Sequence, residues 1–219
     1  MKIVTATRGK AKDTLLLKSL TSMGGNSSEP NAPEVFAAED NSTGLPAVYN
    51  HFLSDIYGSI CFIHDDVIIA DFWWRTIVEE GLKQFDVVGV AGNRRTFPGQ
   101  RSWCLSEREG FNLDYPHLSG AIGQGTDLLT CKKEYFGPLG RCMTLDGVFL
   151  AANGTKLKAA GVCFDEDFDF HFYDMSFCAR VRAAGLTIGT IPLSLIHKSW
   201  GAFDQKWNDA LELYRSKYG

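Results

Sequence analysis

His64, Asp65 and Asp66 sit between two apolar runs in "SICFIHDDVIIADFWW", residues 59–74. Three ionisable side chains in such a place are costly to bury unless they are paired or bind something. In extended backbone, neighbouring side chains point to opposite faces, so His64 and Asp66 share a face and Asp65 takes the other. One carboxylate can then hold a hard cation while the other accepts hydrogen bonds from a sugar hydroxyl. A divalent ion on one or two carboxylates, completed by phosphate oxygens and water, is the usual Mg²⁺ arrangement. The plain alternative is a solvated turn in which Asp65 or Asp66 caps a helix.

Four further positions have chemistry to offer. His197, in "LSLIHKSWG", follows an apolar strand, as either a packed residue or a metal ligand. Asp174 stands at the predicted start of a helix, as a carboxylate favoured by the helix dipole or as a general base. Asp146 breaks the apolar run "TLDGVFLA" and needs a partner, whether a substrate hydroxyl or a structural hydrogen bond. His171 is a weaker candidate of the same kind as His197. Asp165, Glu166, Asp167 and Asp169 read as a solvated acidic loop, and His51 and His117 have no informative context.

The elements that position these residues follow from periodicity. "KIVTA", "EVFAA", "SICFI" and "DVVGVAG" read as strands, with helical patterns over 10–20, from Asn41 or Ser42 to about Tyr57, and after an Asp71 cap. Residues 21–33 read as loop. Alternation of strand and helix predicts an α/β layer whose ligands sit at the carboxyl ends of the strands. His64, Asp65 and Asp66 lie at such an end. Residues 93–124 show no clear period, which suits a binding loop or lid. "TDLLTC", "CMTLDGVFLAA" and "LTIGTIPLSLIH" read as strands. Residues 174–184 form a predicted helix stopped by Gly185, and an amphipathic helix begins near Phe203.

The 219 residues suffice for one domain with a substantial core. A net charge of −4 gives no basic footprint for nucleic acid. No window reaches the roughly 20 apolar residues of a membrane span, and the first apolar run is too short for a signal peptide, so a soluble, cytoplasmic protein is expected. Six cysteines without CxxC spacing read as free thiols in a reducing compartment.

Read together, these pieces resemble the GT-A fold glycosyltransferases, family two of the inverting enzymes in particular. "GLPAVYNHFLSDIYGSICFIHDDV" is similar to that family's stretch ending in Asp-x-Asp, with His64 at the first Asp position and Asn50 on the motif Asn. "FYDMSFCARVRAAG" is similar to its Glu-Asp-x-Asp-Leu-Cys-x-Arg segment, with Asp174, Cys178 and Arg180 in register and Tyr173 and Ser176 departing from it. "IHKSWG" is similar to its C-terminal His turn, and "LDGVFLAA" to the start of its acceptor half. The resemblance implies a single GT-A-like α/β domain with a mainly parallel central sheet flanked by helices and a smaller antiparallel part in the C-terminal half. Residues 1–92 would bind the nucleotide and 93–219 the acceptor.

The implied donor is a UDP- or GDP-linked sugar, and the acceptor a glycan or other hydroxyl compound. Ala6, Thr7, Arg8, Glu39, Asn41, Asn50 and Asp65 would bind the donor. Asp66 and His197 would hold Mn²⁺ or Mg²⁺, and Asp174 would be the base. Asp146 and Trp103 would contact the acceptor, under a closing loop 93–117. His64 has no assigned role. The alternatives are a nucleotidyltransferase, for which "ATRGKAK" is only a faint phosphate loop, and a non-catalytic nucleotide-sugar-binding domain. A non-haem iron centre built on His64-x-Asp66 would need a double-stranded β-helix, which the helical pattern argues against.

Overall fold

The computed structural model describes residues 1–23, 33–54, 56–107, 110–199, 201 and 203–219. The predicted loop at 21–33 therefore falls largely outside the described residues. In chain order the elements are β1 (Lys2–Ala6), α1 (Leu15–Ser22), β2 (Glu34–Ala38), α2 (Leu45–Leu53), β3 (Ser59–Ile63), β4 (Val67–Ile69), α3 (Trp74–Gln84), β5 (Val87–Gly89) and β6 (Ala91–Asn93). There follow β7 (Leu118–Gln124), β8 (Lys132–Gly137), β9 (Arg141–Cys142), β10 (Thr144–Leu145), β11 (Phe149–Asn153), α4 (Gly154–Ala159), α5 (Tyr173–Ala183), β12 (Ile188–Thr190), β13 (Leu195–His197) and α6 (Gln205–Tyr218).

A seven-stranded sheet runs β2-β1-β3-β11-β5-β12-β9. Its inner strands are buried on both faces, which explains their near-continuous apolar character. In β3, Ile60 and Phe62 enter one core while Cys61 and Ile63 enter the other. The first core packs under α2, α5 and α6, and the second under α1 and α3. The sheet is mixed rather than mainly parallel. β1 pairs in parallel with β2 and β3, and β5 with β12, but β11 runs antiparallel between β3 and β5. "GVFLAA" returns through the middle of the sheet, where strand character alone does not reveal direction.

A second sheet runs β10-β6-β7-β13-β4, with β8 on β7. Several segments that read as one strand are shared between the two sheets. "DVVGVAG" splits at Val90 into β5 and β6, and "CMTLDGVFLAA" breaks into β9, β10 and β11. "TDLLTC" is a turn rather than a strand, closed by Asp127 Oδ1 accepting from the Leu129 and Thr130 amides.

Other boundaries moved for local reasons. α2 begins after Gly44 because Asn41 instead closes a turn onto Thr43. α3 begins at Trp74, with Asp71 Oδ1 bonded to the Trp73 amide. The aperiodic stretch 93–124 ends in the seven-residue β7, hidden by its small residues. Gly120 there has φ +94°, and a Cβ would lie 1.9 Å from Val90 O. The acidic loop is only partly solvated: Asp165 is 4% exposed, with Lys217 Nζ at 2.6 Å and the Tyr218 hydroxyl donating to it at 2.7 Å. All six cysteines are free thiols. No helix among the described residues is long and apolar enough to cross a membrane.

Candidate active site

The segment His64–Asp66 is the crossing between the two sheets: β3 ends at Ile63 in one and β4 starts at Val67 in the other. β13 pairs antiparallel with β4, setting His197 opposite Val67. Residues 131 positions apart are thereby brought together. His64, Asp66 and His197 each offer a ligand atom within 4.8 Å of the others. His197 Nε2 lies 3.2 Å from Asp66 Oδ1. Yet this buried nitrogen makes no aligned hydrogen bond, as expected where two groups aim at a common third point. The other Asp66 oxygen accepts from the Ser199 hydroxyl.

The electrostatics follow from this grouping. Burial works against the Asp66 carboxylate, but the adjacent His197 ring and the hydrogen bond from the Ser199 hydroxyl outweigh it and hold its pKa well below the usual range. Burial also disfavours the charged His197 ring, but Asp66 raises its proton affinity overall. His64 is lowered, first by burial and then by the neighbouring His197 charge. One carboxylate and two imidazoles form a donor set suited to a divalent transition metal. The buried, unbonded His197 nitrogen is the observation that fits one.

A second group faces this one. Phe172, buried, takes a left-handed φ of 62°, and α5 starts immediately after it. Strain of this kind persists where surrounding structure enforces it. It sets Tyr173 and Asp174 at the head of the helix. The Tyr173 hydroxyl donates to Gly147 O at 2.7 Å and contacts His64 Nε2 at 2.7 Å. Asp174 accepts from the Gly147 amide at 3.0 Å and the Met175 amide at 2.8 Å. Burial pushes its pKa up to about 7, with the charge of Asp146 adding to the rise. Asp146 occupies the gap between β10 and β11, where Oδ1 accepts from the Val148 amide at 2.9 Å. Its charge reaches His64, His197 and Asp174, so the acidic pair and the metal-type cluster share one site.

The remaining predicted residues fall around it. Ala6, Thr7 and Arg8 end β1, and Glu39 and Asn41 follow β2 alongside them, with the Asn41 amide donating to Thr7 O at 2.8 Å. Glu39 accepts from the Ala11 amide at 2.8 Å and pairs with Lys10 at 3.4 Å. Beside them a hollow of about 340 Å³ is lined by Ala38, Asn41, Thr43, Val48, His51 and Phe52. A larger hollow, about 390 Å³ between α3 and residues 139–140 and 190–192, contains none of the site residues. Asp65 has no side-chain hydrogen-bond partner among the described residues, while its carbonyl accepts from the Leu16 amide at 3.2 Å. Asn50 is used differently: its amide binds the Phe164 backbone at 2.8 and 3.0 Å and Glu166 at 2.8 Å, tying α2 to that segment.

Trp103 stacks edge-on against Phe136 at 5.2 Å. The Cys104 thiol beside it is pushed up to about 11, chiefly by burial, with Asp146 and Asp174 adding to it. This part of the loop therefore lies within electrostatic reach of the acidic pair. Its base is pinned by buried Asp114, which binds Arg95 at 2.6 and 2.8 Å and His117 at 2.9 Å. His64, Tyr173 and Gly147 are the residues whose joint role the sequence did not disclose. The signal available was that both His64 and Tyr173 depart from the motifs around them.

No family model matches the sequence, and no curated protein matches it. Solved structures do. A197 from STIV aligns at TM-score 0.51 and 12% identity, over 90% of this chain and 85% of that one. S. aureus TarS 1–349 in complex with UDP aligns at 0.52 and 12%, over 90% and 60%. GalNAc-T7 with UDP, GalNAc and Mn²⁺ aligns at 0.56 and 9%, over 97% and 48%. The chain shares its mixed α/β fold with GT-A glycosyltransferases, while spanning only 60% and 48% of the last two.

Proposed function

We propose that the protein is an inverting, metal-assisted glycosyltransferase, akin to family two, that moves a sugar from a UDP- or GDP-linked donor to an acceptor hydroxyl. The observation that carries this reading is the His64–Asp66–His197 cluster facing Asp146 and Asp174 across the ends of β3 and β10. That TarS was solved with UDP, and GalNAc-T7 with UDP, GalNAc and Mn²⁺, supports a nucleotide-sugar donor. In this reading Ala6, Thr7, Arg8, Glu39 and Asn41 flank the nucleoside, with the base in the hollow beside Asn41, and Asp65 takes the ribose. Asp66, His197 and His64 hold Mn²⁺ or Mg²⁺, which when bound neutralises charge on the departing diphosphate.

Asp174 removes the proton from the attacking hydroxyl. A carboxyl raised to about 7 is poised between its two protonation states at neutral pH, as a general base should be. This favours catalysis over a binding-only domain, which has no need of such a group. Asp146 orients the acceptor, and Trp103 offers an aromatic face to a sugar ring. A thermal-shift panel of nucleotide sugars tests the reading. One donor should raise the melting temperature only with Mn²⁺ present, and Asp66→Ala should abolish that rise. Absence of a shift with every donor would remove it.

A further inference from the structure

The β7–β8 hairpin carries a feature the proposed chemistry does not use. At its tip Leu129 is 96% exposed and Leu128 61%, with Tyr135 on β8 at 62%. The tip is built to hold them out. Asp127 accepts from the Leu129 and Thr130 amides at 2.9 and 3.0 Å and from the Thr130 hydroxyl at 2.6 Å. At the neck, Gly125 has φ +149°, and a Cβ there would lie 3.0 Å from Cys131 Cα. Two leucines displayed from a hydrogen-bonded turn contribute nothing to the core of the protein.

The hairpin also has a fixed relation to the site. β7 runs parallel to β13, with Gln124 opposite His197, and the Gly125 amide donates to His197 O at 3.1 Å. The tip therefore projects beyond the end of the sheet that carries His197 and Asp66. Lys132 and Lys133 are exposed on the returning strand, and Lys198 is exposed just after His197. Against them stand Asp127, turned onto its own loop, Glu134 and, within the site, Asp66 beside His197, so exposed lysines flank the tip in a chain that carries −4 overall.

We infer that the Leu128–Leu129 tip is a docking element for an anionic bilayer surface. The occupant follows from shape and charge. A convex single turn cannot supply the roughly 1,000 Å² that a specific protein interface requires. Shallow insertion of a few apolar side chains among anionic headgroups, helped by nearby lysines, needs no such area. Docked in this way, the rim beside His197 and Asp66 faces the membrane. If the proposed transfer reaction holds, its acceptor hydroxyl is then presented at a bilayer surface.

Vesicle sedimentation of the full chain, without nucleotide or metal, tests docking separately from the transfer reaction. Phosphatidylcholine vesicles containing phosphatidylglycerol should bind the protein roughly tenfold more tightly than phosphatidylcholine alone. Leu128→Ser with Leu129→Ser should abolish binding while leaving the melting temperature unchanged. Lys132→Ser with Lys133→Ser should weaken binding and flatten its salt dependence. Phe72→Ser with Trp73→Ser removes a second exposed pair, 68% and 67% exposed at the far end of β4, and should leave binding intact. No binding to anionic vesicles, or loss of binding in the Phe72/Trp73 variant but not the leucine variant, would overturn the inference.

Discussion

Tyr173 and His64, 109 residues apart, are joined by a 2.7 Å hydrogen bond. Each departs from the motif it otherwise resembles: His64 stands where Asp-x-Asp begins, and Tyr173 where a Glu precedes the Asp. The Tyr173 hydroxyl has one proton and donates it to Gly147 O at 2.7 Å. It must therefore accept from His64, which places the imidazole proton on Nε2. The lone pair on Nδ1 is left for a ligand, an orienting role often supplied from outside the first ligand shell of a metal.

Tyr173→Phe should leave His64 present but unoriented. Removing such a partner typically costs about 10–100-fold in metal affinity. Calorimetric titration with Mn²⁺ should show that loss while the variant stays folded. Unchanged Mn²⁺ affinity would mean that His64 does not ligate.

Metal preference gives a second prediction. Two imidazoles and one carboxylate favour transition metals over Mg²⁺, with Co²⁺ ahead of Mn²⁺. His64→Asp exchanges an imidazole for a carboxylate and should narrow the gap between Mn²⁺ and Mg²⁺ by about tenfold. Competition titrations on both proteins would measure it. An unaltered preference would remove His64 from the ligand set.

Asp174 predicts a pH dependence of known sign. With a folded pKa of about 7, the side chain is protonated below that value and cannot accept a proton from the acceptor. Transfer should rise with pH through about 7, and Asp174→Asn should bind donor yet lose transfer. Stability should move the other way. The folded pKa lies above the unfolded value near 3.9, so the folded state holds the extra proton between them and loses stability as pH rises. In EDTA, the stability difference between Asp174→Asn and the native protein should shift in the variant's favour by about 2–3 kcal/mol from about pH 5 to about pH 8. A difference that does not change with pH would mean that Asp174 titrates normally.

Local pattern revealed a large share of this site. The end of β3, the head of α5 and the end of β13 were all visible as strand or helix termini carrying ionisable residues. Pairing was not visible. Nothing in "GVFLAA" marks β11 as antiparallel, because a strand buried on both faces is apolar in either direction. Nor does "DVVGVAG" signal that it changes sheets at Val90. Asp165 looked solvated because its partners, Lys217 and Tyr218, belong to the last helix. Asn50 matched a motif, yet its amide is committed to the Phe164 backbone. Tyr173 and His64 could be seen separately as departures, but their hydrogen bond depends on a crossing that only the three-dimensional fold supplies.

Gly147 predicts coupling between packing and the metal site. A Cβ there would lie 2.2 Å from the Tyr173 hydroxyl and 3.0 Å from Asp174 Cβ. Gly147→Ala must push Tyr173 aside, and overpacking of this kind costs about 1–3 kcal/mol. The displaced hydroxyl also releases His64, so the variant should lose Mn²⁺ affinity to the same degree as Tyr173→Phe. In the Tyr173→Phe background that hydroxyl is already gone, and adding Gly147→Ala should not weaken Mn²⁺ binding further. The stability cost should persist, because the ring carbon that bore the hydroxyl would still lie 2.5 Å from the new methyl group. A double-mutant cycle on both readouts separates the two effects. Additive losses in Mn²⁺ affinity would show that Gly147 acts on the metal by a route other than Tyr173.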